Sequence, residues 1–288
     1  MSLLFGGLAA LGWGVADYLA SIASREGGTL RANIIAQVSG LAVLTLVVVA
    51  SGDLAAALSK GTAVVWALGL LGAGLVTFAT QAFYTALQLG KTAIVSPISS
   101  SYGAVTTLLC WLGGAAIGGR ALLGLLLAVV GVAAIAARGG PDTPHRAAPR
   151  ARLPPGVSWA LMSAVAYGLT FHVFGTLVAP VLGPMVPIWL ARLVAPIVLV
   201  AAGRLRPAPA PGPWRWWIAS ITGVLATAAG VACGFGLVYG DIAVVTVLGS
   251  LSTAVTVVLA LILRGERFSR GQAVGVALTL LGIVLLNL

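Results

Sequence analysis

Two titratable side chains stand inside long apolar runs, Asp17 and His172. An acid within a membrane span is a functional residue by default, and histidine changes charge near neutral pH. Either could carry a coupling proton. Each also has a plainer reading. Asp17 lies toward one end of its run, where water or Arg25 can neutralise it, and a lone histidine is often simply packed and hydrogen-bonded. A second set could bind rather than titrate. Phe78, Gln81, Tyr84 and Thr85 recur at steps of three or four, which predicts one shared helical face. Gln81 and Tyr84 both donate and accept hydrogen bonds; Gln81 could instead tie two helices together. Ser96, Ser99, Ser100 and Tyr102 surround Pro97. Proline leaves a carbonyl without its donor. That oxygen can take a substrate ammonium or water, or be re-satisfied by the serines. Ser250 occupies the position matching Ser100 later in the chain. Trp13, Tyr167 and Trp189 supply aromatic walls or interfacial anchors. Arg192 either snorkels to an interface or meets a substrate carboxylate.

The same residues exclude other chemistry. Intramembrane serine proteolysis needs a serine with a positioned base. His172 is the sole histidine within an apolar run, and neither a nucleophile elbow nor a metal-ligand pair is present. No glycine-rich run ends in Lys-Ser or Lys-Thr, so no phosphate loop is expected. Cys110 and Cys233 read as small buried hydrophobes. The expectation is a non-enzyme without cofactor or metal.

Helices must position these groups. The chain has 288 residues, 60% hydrophobic and 8% charged, with mean hydropathy +1.09. A soluble domain carries roughly 25% charged residues, so a water-facing surface cannot be covered. Apolar runs at 3–23, 32–51, 63–87, 93–117, 121–137, 157–178, 186–203, 214–237, 242–263 and 271–287 predict ten transmembrane helices of an all-α integral membrane protein. The first run has no positive segment before it and is expected to be a retained span.

The longest polar stretch, Arg138 to Pro155, divides the chain into a first five-helix unit (1–138), a connecting loop (139–156) and a second unit (157–288). The units look related. At a constant offset, Gly90 to Ser96 aligns with Gly240 to Thr246, and Ala104-Val105-Thr106 with Ala254-Val255-Thr256. Trp13-Gly14 pairs with Tyr167-Gly168, and Gly124 and Gly131 pair with Gly275 and Gly282. Five spans is an odd number, so the repeats are expected to be inverted, with a substrate site near the midplane. Of the 16 basic residues, 13 fall in odd-numbered loops, Lys60 and Arg120 in even ones, and Arg192 within a span. The net charge of +10 therefore predicts odd loops in the cytoplasm. The expected partners are a lipid bilayer and a small-molecule substrate, with no nucleic acid; monomer or homodimer stays open.

These residues resemble the drug/metabolite transporter superfamily, in its ten-helix EamA-like branch. The match rests on the aromatic-glycine pairs Trp13-Gly14 and Tyr167-Gly168 and on the segment Ala93 to Tyr102 followed by Ala104-Val105-Thr106. It also rests on Gly265-Glu266-Arg267 before the last helix, with Gly275 and Gly282 after it, and on Arg192. Two departures stand out: Gly118-Gly119-Arg120 lacks the acid of the Gly-Glu-Arg box, and Val247 replaces the repeat of Pro97. Within the branch the chain is most similar to YddG-type aromatic amino-acid exporters. The resemblance implies export of small metabolites by alternating access, from a multi-pass position in a bacterial-type inner membrane. It places the first, third, fourth, sixth, eighth and ninth helices around the cavity and the fifth and tenth at the periphery. The substrate-binding expectation is Trp13, Phe78, Gln81, Tyr84, Ser96, Pro97, Ser99, Tyr102, Tyr167, His172, Trp189 and Ser250.

Overall fold

The computed structural model describes residues 1–114, 118–136, 153–205, 215–239, 248–249, 251–267 and 269–286. Their regular structure is entirely helical, with no strand among the described residues. In chain order the helices are α1 (Ser2–Gly27), α2 (Thr29–Ala50), α3 (Asp53–Lys60), α4 (Ala63–Leu89), α5 (Thr92–Ser100), α6 (Tyr102–Leu112) and α7 (Gly119–Ala136). There follow α8 (Val157–Val173), a π-helical turn (Phe174–Val178), α9 (Ala179–Leu182), α10 (Met185–Leu205), α11 (Trp216–Tyr239), α12 (Ser252–Arg264) and α13 (Arg270–Leu286). Seven stretches are long and apolar enough to cross a membrane, and three shorter apolar helices run over Gly119–Ile135, Ser252–Arg264 and Arg270–Leu286. Large apolar side chains such as Leu71, Ile197 and Leu281 face outward. That surface would be costly in water and suits hydrocarbon.

Three helix ends differ from the sequence expectation. α1 continues through Arg25 and Glu26 to Gly27, where Gly28 turns the chain at φ 79°. Asp17 therefore lies well inside α1, about 15 Å from its end at 1.5 Å per residue. The fourth span breaks at Ser101, not at Pro97. The Ser101 hydroxyl donates to the Ile98 carbonyl at 2.6 Å, and the Ser101 N–H bonds the same oxygen at 3.2 Å. That carbonyl would otherwise accept from Tyr102, so the serine competes with the helix. In the sixth span a π turn precedes Pro180, which lacks the donor to continue an α-helix.

One kind of helix crossing occurs twice, each time between the two halves of the chain. A Cβ on Gly14 would lie 2.5 Å from Val255 Cβ and 2.7 Å from the Ser252 carbonyl; one on Gly168 would lie 2.5 Å from Val105 Cβ and 3.0 Å from the Tyr102 carbonyl. Thr256 Oγ1 donates to Gly14 O at 3.1 Å, and Thr106 Oγ1 to Gly168 O at 3.1 Å. Glycine thus lets α1 touch α12, and α8 touch α6, backbone to side chain. At the edge of the bundle α7 packs along α13, where Gly124 faces Gly282 and Gly131 faces Gly275.

Charged contacts gather several helix ends at one end of the bundle. Arg25 Nε donates to Leu87 O at 2.9 Å, its Nη2 donates to Gly90 O, and its guanidinium lies 3.9 Å from Glu266. Arg264 Nη1 donates to Ser21 Oγ at 3.2 Å, and Lys91 Nζ to Arg267 O at 3.3 Å. Glu26 takes Arg215 on both carboxylate oxygens, which holds that guanidinium above its ordinary range.

Candidate functional site

Five polar side chains from five helices converge in the middle of the bundle: Asp17 of α1, Tyr84 of α4, Tyr102 of α6, Tyr167 of α8 and Arg192 of α10. Asp17 lies within electrostatic reach of all three tyrosines, and Arg192 of Tyr84 and Tyr167. Asp17, Tyr102, Tyr167 and Arg192 are each half-buried. Asp17 makes no hydrogen bond or ion pair among the described residues. Arg25, the other partner considered from sequence, is held instead by Leu87 O, Gly90 O and Glu266.

One wall is aromatic. Tyr102 stacks on Phe171 with ring centroids 4.8 Å apart, and Tyr167 lies 5.9 Å from Tyr102 and 6.3 Å from Phe171. The Tyr167 hydroxyl is 2.9 Å from Thr80 Oγ1, which fixes its ring between α4 and α8. Tyr167→Phe should cost about 1 kcal/mol and leave the stacking intact; a melting curve in detergent indistinguishable from wild type would show that this bond orients nothing.

Behind the tyrosines runs a chain of amides. Arg192 Nη1 donates to Gln37 Oε1 at 3.3 Å, Gln37 Nε2 to Asn33 Oδ1 at 3.2 Å, Asn33 Nδ2 to Gln81 Oε1 at 3.1 Å, and Gln81 Nε2 to Thr29 Oγ1 at 2.9 Å. Arg192 can only donate, so every amide after it has one orientation. Thr29, Asn33 and Gln37 stand four apart on α2, a periodic polar stripe in an apolar helix that could have flagged them in the sequence.

The other expected residues are placed as follows. Gln81 spends both amide ends on α2. Phe78 faces outward at 45% exposure, while Tyr84 is 5% exposed, so the shared face expected on α4 does not form. Each step of three falls about 60° short of a full turn, and two steps carry Tyr84 about 120° from Phe78. Trp13 Nε1 donates to Ala226 O at 3.1 Å, and Trp189 Nε1 to Thr45 Oγ1 at 2.9 Å, so both indoles clamp helices together. His172 Nδ1 lies 3.5 Å from Cys110 Sγ. Pro97, Ser96 and Ser99 are buried in α5, and the two hydroxyls have no partner, so neither re-satisfies a carbonyl freed by the proline. Ser100 accepts from Thr253 at 2.7 Å. Ser250 lies outside the described residues. Sequence reasoning left Glu266 as a helix-boundary feature. The structure gives that role atoms: its carboxylate accepts from the N–H groups of Thr92 at 3.0 Å and Ala93 at 2.8 Å, capping α5 from the opposite half.

No curated protein matches the sequence. Among the solved structures that match is a crystal structure of a protein sharing this fold, with TM-score 0.60 and 19% identity over 99% of this chain and 94% of that one. The model of the EamA-like transporter family matches residues 154–288. The chain is a multi-pass membrane protein, and its residues 154–288 are similar to the EamA-like transporter family, consistent with the drug/metabolite transporter superfamily.

Proposed function

We propose that the protein is a secondary transporter that exports small metabolites, foremost amino acids with apolar or aromatic side chains, by alternating access. The observation that carries this reading is the polar centre of Asp17, Tyr84, Tyr102, Tyr167 and Arg192, assembled from α1, α4 and α6 of one half and α8 and α10 of the other. Ten crossings in two inverted units, 1–138 and 157–288 with the connector 139–156, fit the doubled contacts of Gly14 with Thr256 and Gly168 with Thr106. Inverted units that can rock around a central site are the layout of alternating access. The clustering of Arg25, Lys91, Arg215, Arg264 and Arg267 at one end supports placing the odd loops on the cytoplasmic face of a bacterial-type plasma membrane. The lipid bilayer is the expected surrounding.

The centre lacks the several basic groups that a sugar phosphate would require; among the described span residues Arg192 is the only cation in it. Counterflow in proteoliposomes tests the reading. Saturable exchange of tryptophan, phenylalanine or leucine is expected, and non-saturable flux across the whole panel would point to a channel-like pathway instead. Saturable efflux of chemically unrelated solutes would favour a multidrug pathway. Asp17 and His172 are the groups available to couple a proton. Transport by both Asp17→Asn and His172→Gln that kept the wild-type pH profile would dismiss coupling through them.

A further inference from the structure

Among the described residues Arg192 is a cation without an anion. Its Nη1 bonds the neutral Gln37, its Nε is buried with no partner, and no carboxylate pairs with it among the described residues. A charge inside a membrane bundle is costly unless compensated, so its retention calls for an anionic guest. The surroundings are built to hold it. Gly40 forms its seat: a Cβ there would fall 2.8 Å from Arg192 Cζ and 2.6 Å from Thr227 Oγ1. The amide chain through Gln37, Asn33 and Gln81 ends on Thr29 and presents only acceptors toward the guanidinium, which leaves the remaining N–H groups to face elsewhere. Asp17 is the converse, an acid with no cation partner among the described residues. Tyr84 and Tyr167 lie within electrostatic reach of both charges, and no ion pair joins Asp17 to Arg192.

We infer that the site binds a zwitterion by its two poles, with Arg192 taking the carboxylate, Asp17 the ammonium, and Gln37 and Gly40 acting as positioning residues for Arg192. This rests on the transporter reading above and assigns its substrate contacts. The aromatic wall of Tyr102, Tyr167 and Phe171 then takes the side chain, and its π faces also favour an ammonium nearby.

Titration calorimetry on the purified full chain in detergent separates the poles. The probes are phenylalanine, phenylalaninamide (no carboxylate) and 3-phenylpropionate (no ammonium). Wild type is expected to bind phenylalanine about tenfold or more tighter than either analogue, the weight of one charge-assisted bond. Arg192→Gln and Gln37→Leu should weaken phenylalanine about tenfold and leave phenylalaninamide unchanged, a split that a general loss of structure cannot give. Arg192→Lys should recover part of the loss. Gly40→Ala, which removes no polar group, should act like Gln37→Leu. Asp17→Asn should weaken phenylalanine and phenylalaninamide and spare 3-phenylpropionate. Equal loss for all three probes in any of these variants overturns the pole assignment, as does a wild type that ignores the missing charge. If the wild type binds none of the probes yet exchanges another solute saturably, the poles fall and the transporter stands. If nothing is exchanged, the transporter reading falls with them.

Discussion

Gly14→Leu and Gly168→Leu will each leave little folded protein in the membrane. At both positions the first added carbon falls about as close to a neighbouring Cβ as 2.5 Å, against a β-branched valine that has no other rotamer to offer. The crossing can accept the side chain only by separating the helices. That breaks the bond from Thr256 to Gly14 O or from Thr106 to Gly168 O. Overpacking a well-packed site costs about 1–3 kcal/mol or more, and an orphaned hydroxyl adds about another 1 kcal/mol. The sum is a large part of the typical stability of a domain. Gly74→Leu is the control, since a Cβ there meets nothing within 4 Å. Fluorescence-detected size exclusion after mild heating should show aggregates for the two crossing variants and a wild-type peak for the control. A monodisperse Gly14→Leu protein would mean that the α1–α12 crossing is looser than drawn.

Glu266→Ala should lower the melting midpoint by about 5 °C. The carboxylate is 9% exposed, caps two N–H groups at the start of α5 and lies 3.9 Å from Arg25. Removing a cap costs about 0.5–2 kcal/mol, and charge-assisted bonds stand at the upper end of the hydrogen-bond range, so about 2–3 kcal/mol is expected here. Glu266→Gln keeps one acceptor oxygen and should lose roughly half as much. Equal midpoints for the alanine variant and wild type would show that water caps α5 as well as the glutamate does.

Some of this was legible in the residues. The apolar runs correspond to helices because a lipid-facing backbone must bond within its own segment. Gly14, Gly168, Gly124, Gly131, Gly275 and Gly282 were singled out by their repetition, and they mark the closest crossings. Gly74 and Gly230, also glycines in helices, face open space, and composition alone does not separate the two kinds. Tyr84, Tyr102, Tyr167 and Asp17 were recognised as polar groups in apolar surroundings. The break at Ser101 and the continuation of α1 past Arg25 were not, because each turns on a few hydrogen bonds: the serine hydroxyl on Ile98 O, the guanidinium on Leu87 O and Gly90 O. The amide chain is not legible from Gln81 itself, because its partners lie on another helix about fifty residues away.

The cap on α5 also bears on how the molecule is made. Thr92 and Ala93 precede Glu266 by 174 and 173 residues. At about 5–20 residues per second, the amides of α5 wait roughly ten to thirty seconds for their carboxylate to leave the ribosome. Gly14 and Thr106 wait likewise for partners in the other half, Thr256 and Gly168. The first half of the chain can enter the membrane as it emerges, but it has no finished packing of its own. The nascent first half is a client for whatever shields polar backbone in the bilayer, and maturation begins only as the last two helices arrive.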